Sequence, residues 1–158
     1  MSNIFNIAEV IDLGIEKEKK RRDFYGLVSE SFKEPDIKKL FSRLRDWEDE
    51  HIKKFAAIRD TVKIDESQES YEGELAEYMK ALVDDILYNQ VSAKEFSNNV
   101  KTPEAAIQYG IGFEKDSILF FTELLKYAEP VHIEKVRILI EEEKKHIIYL
   151  AELKKKYD

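Results

Sequence analysis

The stretch PDIKKLFSRLRDWEDEHIKKFAAIRDTV, residues 35–62, carries Ile37, Leu40, Phe41, Leu44, Phe55 and Ile58 at three- and four-residue spacings. That period is one face of an α-helix, and Pro35 fits its first position, where a missing N–H costs nothing. The apolar stripe breaks in the middle, where Glu48 and His51 stand three residues apart. Residues at that separation project from the same side of a helix, so both face the place where the pattern calls for core. The stretch from Pro130 repeats the interruption: Val136, Leu139 and Ile140 precede Glu143 and His146, and Leu150 and Leu153 follow.

Working outward, IAEVIDLGIEKEKKRRDFYGLVSESF is also periodic, as is PEAAIQYGIGFEKDSILFFTELLKYA, which starts after Thr102, a suitable N-cap. Four long helices are expected, over about 3–32, 35–62, 103–128 and 130–156. Short joins make the first two an antiparallel hairpin and the last two another. The intervening segment, 63–102, is a long crossover; Leu75, Met79, Leu82, Val83 and Ile86 recur within it at helical spacing, so a short extra helix is expected there. The fold class is therefore all-α, an antiparallel four-helix bundle with one long crossover between helices 2 and 3. A chain of 158 residues fits a single domain spanning 1–158.

The two hairpins repeat each other. GIEKEKKRRDFY from Gly14 lies over GIGFEKDSILFF from Gly110, which pairs Glu18 with Glu114 and Tyr25 with Phe121 at an offset of 96. At an offset of 95, Glu34-Pro35 lies over Glu129-Pro130, Glu48 over Glu143 and His51 over His146. Glu18 shares a helix face with Ile11, Ile15, Tyr25 and Val28, and Glu114 shares one with Ile107, Ile111, Phe121 and Leu124. The interior thus receives four carboxylates and two imidazoles near one level. Burying like charges together is costly unless cations balance them, and two divalent ions would match four carboxylates. Oxygen donors with one imidazole per ion suit iron or manganese better than structural zinc.

Composition narrows the rest. The formal charge is −7, and the densest basic run, KEKKRR at 17–22, reads as a solvated helix face, so no nucleic-acid or membrane-surface partner is expected. The sequence has no Cys, which removes disulfides, thiolate catalysis and cysteine-held metals. No run approaches the roughly 20 apolar residues of a membrane span, and the N-terminus lacks a signal pattern, so a cytoplasmic protein is expected.

With Glu18, Tyr25 seven residues on, Glu48-x-x-His51, Glu114 and Glu143-x-x-His146, nearly the whole chain resembles the ferritin-like di-iron carboxylate proteins, and among them the di-iron domain of the rubrerythrin family. The resemblance implies two irons, with manganese an alternative. Glu48 and Glu143 would bridge them; Glu18 with His51 would complete one, Glu114 with His146 the other, and Tyr25 would hydrogen-bond beside them. It implies an oxidoreductase acting on O₂ or peroxide. A ferroxidase or iron-handling protein, or a metal-stabilised interaction or sensor module, is the alternative reading. Rubrerythrin itself has a cysteine-ligated rubredoxin domain as its electron entry; without Cys, this chain would draw electrons from a separate donor such as a rubredoxin. The further glutamate that rubrerythrin places one turn before its helix-three ligand is here Ile111. A homodimer is expected by the same resemblance.

Other polar residues on these helices have plainer readings. Arg21 and Arg22 are expected to reach outward to solvent, the sharper alternative being an arginine beside the metal carboxylates. Asp49, Glu50, Glu141 and Glu142 read as solvated helix face, His132 as a surface or packing residue, and Trp47 as a cap on the bundle surface.

Overall fold

A computed structural model describes residues 7–61, 78, 81, 96, 98–126, 128 and 130–158. Four long helices cross them: α1 Ile7–Ser31, α2 Pro35–Thr61, α3 Pro103–Leu125 and α4 Pro130–Lys154. Among the described residues there is no strand. Pro35, Pro103 and Pro130 each open a helix, as expected from their fixed φ and missing donor. Thr102 is the N-cap of α3, its side chain accepting the Ala105 N–H at 3.1 Å. α3 ends three residues earlier than its apolar pattern suggests, and α4 two residues earlier. The apolar residues of the crossover singled out above (Leu75, Met79, Leu82, Val83, Ile86) lie outside the described residues.

Neighbouring helices run antiparallel. Ser29 lies against Lys38 and Ser42 while Asp12 meets Arg59, so α1 and α2 descend past each other. Glu18 meets Ser117 while Tyr25 meets Gly110, which sets α1 against α3 in the same sense. His51 meets Glu142 while Trp47 stacks near His146 and Tyr149, which does so for α2 and α4. The end of α4 is tied to the start of α2 by the Tyr157 hydroxyl, which donates to Asp36 Oδ1 at 2.6 Å.

Two apolar clusters fill the bundle. One gathers Phe24, Val28, Ile37, Phe41, Leu44, Phe113 and Leu150, with Phe96 and Val100 packed in ahead of α3. The other gathers Ile11, Phe55, Ile58, Phe120, Phe121, Leu124, Val136 and Leu139. Along every helix the residues between the two clusters are polar and buried: Glu18 and Arg21, Glu48 and His51, Glu114 and Ser117, Glu143 and His146. The packing of both clusters, dispersion and hydrophobic burial together, holds this polar layer at one level and closes it above and below.

Candidate metal centre

All six residues read from the repeat meet in that layer. Glu48, Glu114 and Glu143 have no exposed surface, and Glu18, His51 and His146 are buried. They form two sets, Glu18, Glu48, His51 and Glu143, and Glu48, Glu114, Glu143 and His146; within each, one donor atom per residue lies within 4.8 Å of the others. The sets share Glu48 and Glu143, one from each Glu-x-x-His pair.

The imidazoles turn the same nitrogen inward. His51 Nδ1 lies 2.7 Å from Glu143 Oε1 and 3.5 Å from Glu48 Oε2. His146 Nδ1 lies 3.4 Å from Glu48 Oε1, Glu114 Oε1 and Glu143 Oε2. The rings stack 5.5 Å apart. Thus Glu48 and Glu143 each turn one oxygen toward His51 and the other toward His146, the arrangement a carboxylate needs to serve two cations at once.

Around these six stands a set of partners that the sequence reading only partly anticipates. Tyr25, expected from the resemblance to hydrogen-bond beside the site, donates its hydroxyl to Glu114 Oε1 at 2.6 Å. Ser117 donates to Glu18 Oε1 at 3.3 Å. Glu142, expected to be solvated, is half-buried and its Oε2 lies 2.6 Å from His51 Nε2, with Lys54 on the same carboxylate. Trp47 stacks on His146 at 5.1 Å, nearly parallel, and is more than a surface cap. The largest correction concerns Arg21. Expected to reach solvent, it is fully buried, pairs with Glu18, and places Nη2 3.2 Å from Glu48 Oε2 and 3.7 Å from Glu143 Oε1. Nη1 donates to the Phe113 carbonyl at 3.1 Å. Arg22 behaves as read, partly exposed and paired with Asp23 and Asp49. The signal for Arg21 was present: it follows Glu18 by three residues and precedes Tyr25 by four, so it lies on the stripe those two define.

The electrostatics follow from burial and proximity. Burial pushes the Glu18 and Glu114 carboxyls well above the usual range, and for Glu114 the nearby Glu143 and Glu48 add to it. Burial would raise Glu48 too, but Arg21 and the neighbouring imidazoles hold it well below. Glu143 is likewise lowered, burial and Glu48 being outweighed by Arg21 and its other neighbours. Burial would lower His51, yet contact with Glu143 and Glu48 raises it to about 11, and Glu114 and Glu143 raise His146 in the same way. Protons therefore do in this cluster what metal cations can do instead.

The donors fit a metal. Each of the six residues keeps at least one buried nitrogen or oxygen without a well-directed hydrogen bond: Glu18 Oε2, Glu48 Oε1, His51 Nδ1, Glu114 Oε2, both oxygens of Glu143 and His146 Nδ1. Buried polar atoms are normally satisfied, so a concentration of unsatisfied ones within two overlapping donor sets calls for an explanation, and a bound metal would supply it. Hard oxygen donors with one imidazole per set match the preferences of iron and manganese.

Four antiparallel helices around buried carboxylates and imidazoles define a helical-bundle metalloprotein. Its residues 9–154 match the family model described as rubrerythrin, and the chain belongs to the rubrerythrin family. Among solved structures it is similar to a Thermotoga maritima protein described as a candidate ferritin-like diiron-carboxylate protein, with 23% identity over 98% of each chain and a TM-score of 0.72. At that identity the likeness establishes the fold, a ferritin-like bundle. No protein with a curated description matches the sequence. Family and cluster together support iron binding. No helix among the described residues is long and apolar enough to cross a membrane.

Proposed function

We propose that the chain is a di-iron oxidoreductase that reduces O₂ or peroxide with electrons delivered by a separate protein. Glu48 and Glu143 would be shared by both irons, Glu18 and His51 would help hold one, and Glu114 and His146 the other. The observation that carries this reading is the sharing of Glu48 and Glu143 between two donor sets. Two such sets joined by common carboxylates suit a pair of ions acting together.

Bound iron would supply the electrons that reduce the oxidant. The chain's own residues do the rest. The two apolar clusters close the layer above and below. Glu142 holds His51 by its outer nitrogen, so that Nδ1 faces the carboxylates, and Tyr25 holds Glu114. A cavity of about 330 Å³, lined by Trp47, His51, Lys54, Glu142, His146 and Tyr149 among others, opens on the imidazole side and suits the approach of a small oxidant. These 158 residues hold no Cys that could carry a rubredoxin-type iron, so in this proposal the electrons enter from outside them.

The test is metal content on protein purified without chelator, followed by peroxide consumption by the reduced, iron-loaded form. Two irons per chain and turnover well above that of free iron are expected. Consumption no faster than free iron would refute the reading.

A further inference from the structure

We infer that Arg21 makes the two donor sets unequal: a tethered cation on the Glu18, Glu48, His51 and Glu143 set leaves Glu48, Glu114, Glu143 and His146 as the tight site, so metal loads stepwise. This rests on the metal-binding reading above and deepens it.

Arg21 Nη2 approaches Glu48 Oε2 and Glu143 Oε1, the same two atoms that face His51 Nδ1. It also pairs with Glu18, the remaining carboxylate of that set. The oxygens that face His146, Glu48 Oε1 and Glu143 Oε2, are not among its contacts, and neither is Glu114. The guanidinium therefore meets all three carboxylates of one set by the atoms an ion there would need. It is anchored in this position by the Phe113 carbonyl and has no exposed surface.

The internal repeat shows that this is a property of one half alone. Offset by 96, Arg21 corresponds to Ser117, a neutral hydroxyl that donates to Glu18. Offset by 95, Glu142, which holds His51, corresponds to Trp47, which stacks on His146. Charge balance points the same way. Four carboxylates alone would match two divalent ions, but with Arg21 inside, the ligand set stripped of its protons by metal carries three net negative charges. One divalent ion leaves it mildly negative; a second leaves positive charge buried between apolar layers, which is costly, and like charges at these separations repel strongly.

The experiment is an anaerobic calorimetric titration with Fe(II), with native mass spectrometry counting the ions bound. The unaltered chain is expected to take one ion tightly and a second at least about a hundredfold more weakly, a gap of about 2.7 kcal/mol. Arg21→Leu should narrow the gap to under about tenfold by tightening the second event. His146→Ala should abolish the tight event and His51→Ala should spare it, which decides the matter even if Arg21→Leu does not fold. Two ions of equal affinity in the unaltered chain would overturn the inference and leave the di-iron reading standing. So would loss of the tight event in His51→Ala. If no ion binds the unaltered chain or any variant, both fall.

Discussion

Tyr25 reaches from α1 to α3 and donates a 2.6 Å hydrogen bond from its hydroxyl to Glu114 Oε1, inside a layer where neither residue touches water. The same hydroxyl lies 3.4 Å from the Gly110 carbonyl, one turn earlier on α3. Its ring packs edge-on against Phe24 and Phe41. The apolar core thus fixes the ring, and the ring fixes one oxygen of a proposed ligand.

Tyr25→Phe keeps the ring and removes the hydroxyl. The Glu114 oxygen left behind is buried and loses its donor, so a stability loss of about 1–3 kcal/mol is expected in the metal-free protein. Metal affinity on the Glu114 side should fall by about 10- to 100-fold, the usual cost of losing a partner behind a ligand. Urea unfolding and metal titration of the same variant measure both, and unchanged affinity would mean that Tyr25 is packing alone.

The metal-free fold should weaken as pH rises. His51, with an unfolded value of about 6.5, is pushed up to about 11 in the fold, because Glu143 and Glu48 outweigh its burial. A folded value above the unfolded one means that the native state holds an extra proton. Its contribution is complete below about pH 6.5 and is lost as pH climbs toward about 11. Glu18 and Glu114, whose carboxyls are also raised, act in the same direction. The melting temperature without metal is expected to drop by at least about 2–4 °C between pH 6.5 and 10. With saturating metal the drop should shrink, since metal replaces the protons and binds better once they leave. A melting temperature that rises over this range without metal would contradict the charge assignment.

Glu48→Ala combined with His51→Ala removes a shared carboxylate and an imidazole from a layer bounded by two intact apolar clusters. Metal affinity should fall by more than about a hundredfold, while far-ultraviolet circular dichroism keeps its helical shape. The helices depend on packing above and below the layer, whereas the metal depends on the layer itself. Helix lost along with the metal would show that the polar layer organises the fold rather than occupying it.

Much of this was legible in the sequence, and the limit has a physical cause. Pro35, Pro103 after Thr102, and Pro130 announce three helix starts through backbone chemistry that acts locally. The six residues that meet in the polar layer were legible because spacing assigns each side chain to a face, and the repeat makes four faces agree on one level. Arg21 and Glu142 depart from expectation, and Trp47 gains a partner the sequence does not name, because a face does not say what a long side chain will touch on the neighbouring helix. Arg21 has a long apolar stem and could equally have reached outward; the three carboxylates facing it decide its direction, and they belong to three different helices. Glu142 looks like solvated surface on α4 until α2 brings His51 to it.

Two glycines of α1 should respond in opposite ways to the same substitution. A methyl group added at Gly14 would lie 2.8 Å from Phe120 Cε1 and 3.4 Å from Phe55 Cε1. Both rings are fully buried, and Phe120 is held edge-on to Phe121, so the contact cannot be relieved by swinging a flexible chain end. Gly14→Ala should cost about 1–3 kcal/mol from overpacking, only partly offset by the roughly 0.5–1 kcal/mol that alanine gains over glycine inside a helix. At Gly26 the nearest atom to an added methyl is Arg45 Cδ at 3.5 Å, an ordinary contact. Gly26→Ala should therefore keep the helix gain and stabilise the chain by about 0.5–1 kcal/mol. Thermal melts of the two variants side by side would show the difference as shifts of opposite sign, about 2–4 °C for each kcal/mol. If Gly14→Ala also stabilised, the close approach of α1 to Phe120 would be wrong, and with it the packing that supports the Glu18 side of the site.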